Sequence, residues 1–366
     1  MKITFITTID HNIGDDFVRE GLKYLLQQYF SGKVLEFRNV HKHSTITSRN
    51  GFEKFLNPRF VNRLDRTLPI RWTGDKIRDA DLVIQSGAPV YWCHEDVGSH
   101  CYNNEWFGPL IEKRFLRTSG TKLLNLATGT CQKYHSDGSE FCVRCNDYIR
   151  RFYELSAVTT VRDSLAQTVL AQIGIDVPVI PCSSIFAIDE HGLKAENGEY
   201  VVVNYMSGGA HYTFGQAIDF ERWEQTFKTF YFALKQKERV VFSCHNEKEF
   251  KAAREIDPDA EIFYAKNDYV AYMKFYAKAK FGIMNRVHGA FMMASFGKPS
   301  LVIGNDSRAR MSEEIGLESI FVNDVDLAIL NDRYAFLSAG ADHYRERFAA
   351  IKHRAFNDYM KAFSVL

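Results

Sequence analysis

Short apolar runs rich in β-branched residues alternate with stretches of helical apolar spacing along nearly the whole chain, and few folds accommodate that rhythm. Ile3 to Ile9 is the first such run, and helical spacing follows from Phe17 to Phe30 through Leu22, Leu25 and Leu26. Leu82-Val83-Ile84 enters the loop Ser86-Gly87-Ala88-Pro89, and Lys122 to Ala127 ends at Thr128-Gly129. Ala157 to Val161 leads to Arg162-Asp163 and a helix from Ser164 to Ile173, with Gly174 as its stop signal. Val177 to Ile180 reads as a further strand. After a turn-rich stretch the pattern restarts. Strands at Tyr200–Tyr205, Val240–Ser243, Phe281–Met284 and Ser300–Ile303 alternate with helices at Phe220–Gln236, Tyr269–Lys280 and Gly289–Phe296.

Repeated βα units predict parallel sheets covered on both faces. The charged segment Asp189–Glu199 divides them, so the expected fold is α/β, with two Rossmann-like doubly wound domains facing a cleft. The expected bounds are 1–190 and 198–338, with a helical end, 339–366, packing back on the first domain. Ligands in such sheets lie beyond the carboxyl ends of the strands. The length of 366 residues exceeds what one core usually supports.

Charge excludes some partners. Lys and Arg total 46 against 45 Asp and Glu, so no long-range field draws nucleic acid or an anionic membrane. The Thr-rich start, stopped by Asp10, reads as a strand rather than an export signal, and no run is long enough to span a bilayer. The expectation is a cytoplasmic protein. Seven cysteines, an odd number, then argue against stable disulfides.

Three strand ends carry cationic residues. At Met284-Asn285-Arg286-Val287-His288-Gly289 a strand gives way to a helix, whose first N–H groups attract anions. Arg286 offers a fork for phosphate or carboxylate, and His288 can exchange a proton near neutral pH. Arg162 precedes Asp163, a natural helix cap. Gly304-Asn305-Asp306-Ser307-Arg308-Ala309-Arg310 offers two more Arg, either of which could reach an anion. The loop Asp10-His11-Asn12-Ile13-Gly14-Asp15-Asp16 lacks a dinucleotide fingerprint, but its carboxylates suit sugar hydroxyls. His245, in Ser243-Cys244-His245-Asn246, ends another strand.

In order along the chain, Asn12-Ile13-Gly14-Asp15, Ala80 to Gly87, Val161-Arg162-Asp163 and Arg286-Val287-His288-Gly289-Ala290 resemble the polysaccharide pyruvyl transferase family. The Arg-x-His element is the most specific of these. The resemblance implies a fold like that of the GT-B glycosyltransferases and phosphoenolpyruvate as donor, with no cofactor required. It implies catalytic roles for His288 and Arg286. Donor binding falls to Arg162, Arg308, Arg310 and Gly289, and acceptor binding to Asn12, Asp15, Gly87 and His245. The expected acceptor is a sugar, lipid-linked sugar or glycan. Three departures stand out: a Gly loop reduced to Ser86-Gly87-Ala88-Pro89, Pro181-Cys182-Ser183-Ser184 in place of a Pro-Asp turn, and Arg308 or Arg310 where a Lys is usual. The rival readings are a nucleotide-sugar glycosyltransferase of the same architecture and an inactive sugar- or anion-binding module.

Five cysteines lie between Cys93 and Cys145, including the pair Cys142-Val143-Arg144-Cys145. Such a pair can grip Zn²⁺, with Cys131, Cys101, His94 or His135 as further ligands. A structural site usually shows two clean pairs, so free thiols are the expectation here, with no catalytic metal.

Overall fold

The computed structural model describes residues 1–9, 12–42, 77, 79–87, 89–93, 121–210 and 212–366. Asp10, His11, Ala88, His94 and Cys101 lie outside them. Among the described residues two parallel sheets form. The first holds β1 (Lys2–Thr7), β2 (Glu36–His41), β3 (Leu82–Ser86), β4 (Pro89–Tyr91), β5 (Lys122–Thr130) and β6 (Ser156–Val161). Its order is β2-β1-β3-β5-β4, with β6 also on β5. The second holds β7 (Tyr200–Asn204), β8 (Val240–Ser243), β9 (Glu261–Phe263), β10 (Ala279–Met284), β11 (Ser300–Gly304) and β12 (Glu318–Phe321), ordered β12-β11-β10-β7-β8-β9.

Central strands are buried on both faces, as parallel sheets demand. Ile3, Phe5, Ile84 and Leu124 are fully enclosed in one sheet, and Val202, Ile303 and Val302 in the other. Each such side chain contributes about 1.5–3 kcal/mol by leaving water. Val177 to Ile180 corrects the expectation of a strand: only a single bridge, Val161 to Val179, forms there. Pro178 has no N–H to extend a ladder.

Strand order fixes where a ligand can sit. Counted from β7, the second sheet runs 3-2-1-4-5-6, so its order reverses between β7 and β10. The first sheet reverses between β1 and β3. A crevice opens at the carboxyl ends of strands wherever such a reversal occurs. Met284 pairs in register with Asn204 and Val302, which brings the ends of β7, β10 and β11 level.

Helices cover these sheets. α1 (Ile13–Tyr29) begins four residues before its apolar spacing does, because the Asn12 side chain caps it by accepting from the Gly14 N–H at 3.1 Å. α2 (Val143–Glu154), α3 (Ser164–Gln172) and the short α4 (Ala187–Glu190) complete the first half. The second half adds α5 (Phe220–Lys235), α6 (Glu247–Ile256), α7 (Tyr269–Ala277), α8 (Val287–Ser295) and α9 (Leu327–Ala339). The last helix, α10 (Ala341–Phe363), returns to the first half. Its Tyr359 hydroxyl donates to the Pro181 carbonyl at 3.1 Å, and Phe363 meets the Tyr29 ring edge-on. One apolar cluster runs through α1, the turn at Ser183–Phe186, α8 and α10, so the halves share a core.

Candidate functional site

The two order reversals face each other across a cleft that opens to solvent. Asn12, Asp15 and Arg162 line it from the first half. His245, Arg286, His288 and Arg308 line it from the second. Gly87, Gly289 and Arg310 do not line it, and each has a different place.

Arg162 is the centre of the arrangement. It leaves the end of β6 and is 2% exposed. Its Nη1 donates to the Gly87 carbonyl and lies 3.4 Å from His288 Nε2 and 4.0 Å from Cys182 Sγ. Its Nε is buried with no hydrogen-bond partner, and among the described residues no carboxylate stands within ion-pair distance. A buried cation without a paired anion is costly, so the site favours an incoming one. Gly129 makes room: a Cβ there would lie 2.3 Å from Asp163 Oδ2 and 2.8 Å from Arg162 Nε. Asp163 itself is committed to structure, accepting from the Ala166 and Thr130 N–H groups at 2.7 and 3.0 Å.

His288 enters from the opposite sheet. Helix α8 starts at Val287, two residues earlier than its sequence spacing suggests, which puts His288 in the first turn. Arg286 occupies the N-cap position without a capping side chain, leaving the helix start open to an anion. Since a guanidinium only donates, the Arg162 contact casts His288 Nε2 as acceptor and puts the ring proton on Nδ1. Burial, and next the Arg162 charge, push the imidazole down to about 3, against a partly opposing Asp15. The ring is therefore neutral at pH 7 in the ligand-free protein.

The Asn12–Asp15 turn explains itself in this setting. Gly14 is where α1 meets the histidine: a Cβ there would lie 2.5 Å from His288 Nδ1. Asp15 accepts from the Thr8 hydroxyl at 2.7 Å, and Lys42 Nζ lies 3.5 Å away. Burial opposes its ionisation, but Lys42, Thr8, His288 and Arg162 together hold its carboxyl below the ordinary value.

Arg286 is engaged. Its Nε donates to Glu249 Oε1 at 2.9 Å and its Nη2 to the same oxygen, while its backbone N–H donates to Asn204 Oδ1 at 2.8 Å. Glu249 also accepts from the His245 N–H at 2.9 Å and Asn204 Nδ2 at 3.0 Å. Burial raises the Glu249 carboxyl, but Arg286 and His245 together hold it below its ordinary value. Arg286 thus reaches the cleft as half of an ion pair rather than as a bare fork. His245 bonds the Tyr276 hydroxyl at 2.9 Å, and burial lowers it to about 4.

Arg308 and Arg310 part company. Arg308 lines the cleft, held by Asp306 through Nε at 2.9 Å and Nη2 at 2.5 Å. Arg310, in the 3-10 helix Ala309–Ile315, turns away and donates to the Tyr134 and Ser136 carbonyls at 3.4 and 3.2 Å. Expected at the donor, Arg310 instead spends its reach across the seam between the halves and does not line the cleft. Gly87, expected at the acceptor, contributes a carbonyl to Arg162 and does not line the cleft. Gly289 lies below the helix start, where a Cβ would lie 2.4 Å from Met284 Cε, so its place is one of packing.

Sequence reasoning missed Glu249 and Cys182. Glu249 is one of several charged residues opening α6 and carries no local mark. Cys182 Sγ, 3.8 Å from His288 Nε2, stands in the Pro181-Cys182 turn noted for lacking an Asp. Near the seam, the Ser307 hydroxyl bonds Thr130 Oγ1 at 3.2 Å and the Gln132 N–H at 3.0 Å, which fixes one half on the other.

Comparison with known proteins agrees with this architecture. A family model described as polysaccharide pyruvyl transferase matches residues 12–307. No curated protein matches the chain in sequence. Among solved structures, a putative UDP-N-acetylglucosamine 2-epimerase from Listeria monocytogenes is similar at TM-score 0.57 and 12% identity, over 95% of this chain and 90% of that one. The MnaA–UDP co-structure from S. aureus gives 0.56 and 14% over 95% and 90%. The Methanocaldococcus jannaschii UDP-GlcNAc 2-epimerase, in complex with UDP-GlcNAc and UDP, gives 0.51 and 9% over 92% and 93%. At such identities the likeness is one of fold, and the fold class is α/β and GT-B-like. Among the described residues no helix is long and apolar enough to cross a membrane.

Proposed function

The chain belongs to the polysaccharide pyruvyl transferase family, and from that premise we propose that it moves the pyruvyl group of phosphoenolpyruvate onto two hydroxyls of a sugar, lipid-linked sugar or glycan, on the cytoplasmic side. The observation that carries this reading is Arg162: a buried guanidinium, free of any ion pair among the described residues, 3.4 Å from a histidine of the opposite sheet. Phosphoenolpyruvate brings a carboxylate and a phosphate, and the cleft offers Arg162, Arg308 and the open start of α8 to meet them. Arg286, anchored by Glu249, adds positive potential at the same helix start.

The chemistry then assigns a task to His288. A proton must reach the methylene carbon of the donor, making a methyl group and an oxocarbenium-like carbon beside it. One acceptor hydroxyl adds there and gives up its proton. Phosphate next departs with the C–O bonding pair, and the second hydroxyl closes the ketal, its proton going to phosphate. On this reading His288 delivers the first proton and takes back the next. It is neutral in the free protein, so the donor's charge must first raise its proton affinity. Arg162 stabilises the leaving phosphate once it has turned from the imidazole to the anion. To Asn12, Asp15 and His245, which line the same cleft, we assign the acceptor hydroxyls. No metal or cofactor has a part in these steps.

An acceptor screen with phosphoenolpyruvate, read by phosphate release, tests the proposal. The expected result is acceptor-dependent release with a ketal product seen by mass spectrometry. Tighter binding of a nucleotide-sugar than of phosphoenolpyruvate, with glycosyl transfer, would instead favour the glycosyltransferase reading.

A further inference from the structure

Away from the cleft, three cysteines meet. We propose that Cys93, Cys142 and Cys145 hold a zinc ion that ties the chain leaving β4 to the start of α2. Their sulfurs all lie within 4.8 Å of one another, and they are the one such group of His, Cys and carboxylate ligands among the described residues. Tetrahedral zinc with Zn–S bonds of about 2.3 Å needs sulfurs about 3.8 Å apart. Closing the cluster onto an ion therefore takes movements of about 1 Å or less, well within side-chain rotation.

Local structure supports the same reading. Cys142 is the N-cap of α2, with extended backbone at φ −72° and ψ 163°, and no side-chain cap. Cys145 sits in the first turn of the helix, so the pair presents both sulfurs at one helix start. The partial positive charge there offsets part of the charge of three thiolates. Cys93 arrives from far along the sequence, two residues past the end of β4. The Cys142 N–H points at its sulfur, 3.5 Å away, as an outer hydrogen bond to a metal thiolate does. An all-sulfur donor set is soft and favours Zn²⁺ over Mg²⁺ or Ca²⁺. The three protein ligands leave a fourth position for water or another donor.

Sequence spacing alone did not reveal this site, because it shows one Cys-x-x-Cys pair and the third ligand is distant. Cys131 and His135, named as candidate further ligands, are not in the cluster. The consequence reaches the cleft through a short path. Cys93 follows β4, β4 begins at Pro89 on the cleft wall, and Gly87 just before it receives Arg162. Zinc at this point would hold that loop steady. The inference does not depend on the reading of the cleft.

The test uses the full chain purified without chelator. Zinc is measured by elemental mass spectrometry, and the metal is then exchanged for Co²⁺. The expected results are one zinc per chain and a thiolate-to-cobalt charge-transfer band in the wild type. Cys93→Ser and Cys142→Ser should each lose zinc and weaken the band, while Cys244→Ala keeps both. The wild-type measurements decide the matter even if a variant fails to fold. A wild-type chain that takes up neither zinc nor cobalt would overturn the proposal. So would a Cys142–Cys145 disulfide in freshly isolated protein, or iron and sulfide in place of zinc.

Discussion

Replacing Gly14 with alanine puts the contact between α1 and His288 under a measured load. The added Cβ would lie 2.5 Å from Nδ1, 2.9 Å from Cγ and 3.1 Å from Cβ of His288, whereas ordinary contact begins at 3.4 Å. The ring must withdraw by about 0.9 Å, the difference between 3.4 and 2.5 Å. A misplacement of about 1 Å in a reacting group can cost roughly 100-fold in rate, equivalent to about 2.7 kcal/mol. Stability should fall too, because overpacking a buried contact costs about 1–3 kcal/mol. Against that, alanine is better than glycine within a helix by up to about 1 kcal/mol, and less than that in a first turn. Gly14→Ala should therefore lose about 100-fold in turnover, by phosphate release at saturating donor and acceptor. Its thermal midpoint should fall by a few degrees, with the chain still folded at the assay temperature. Turnover within about threefold of wild type would refute the claim that Gly14 positions the histidine. A rate loss that merely tracks lost folded protein would refute it too.

Other outcomes follow from the same geometry. His288→Ala should lower turnover by roughly two to four orders of magnitude, checked by single-turnover kinetics. Because burial holds His288 down to about 3 against an ordinary 6.5, the free protein carries it unprotonated at pH 7, and donor binding should take up a proton. Calorimetry in two buffers of different ionisation heat reads that uptake, which should vanish in His288→Gln; an uptake that survives the substitution belongs to another group. Arg308→Ala should raise the donor KM, and Arg310→Ala should leave it near wild type while lowering the thermal midpoint; the reverse pattern would show that the two had been assigned the wrong way round.

Where a residue's surroundings are local, the sequence exposed them. Buried central strands such as β3, β7 and β11 announce themselves as apolar runs, since parallel sheets bury both faces. The start of α8 was legible because a strand end, Arg286 and His288 follow one another without interruption. Edge strands were not: Glu261-Ile262-Phe263 in β9 is short and half exposed, so its alternation is too brief to read. Helix α6 looks like a charged surface segment, yet its Glu249 faces inward because Arg286, distant in sequence, comes to meet it. Arg308 and Arg310 are equivalent by spacing. Only the 3-10 turn between strand and loop separates them, and no composition predicts which way each points. Arg162 carries a weaker local signal than Arg286, yet it is the more deeply buried of the two, and nothing in its own segment reveals that Gly87 and His288 close over it.

The 3.4 Å meeting of Arg162 and His288 has a further meaning for how the molecule operates. One group belongs to the first sheet and the other to the second, and neither half contains the pair. On the proposed reading the contact works like a coincidence switch: the proposed proton donor and anion holder are in register only while both halves are seated. A donor molecule gripping both would then be a clasp as well as a reactant, and its departure as phosphate and ketal would undo the very grip that assembled the site.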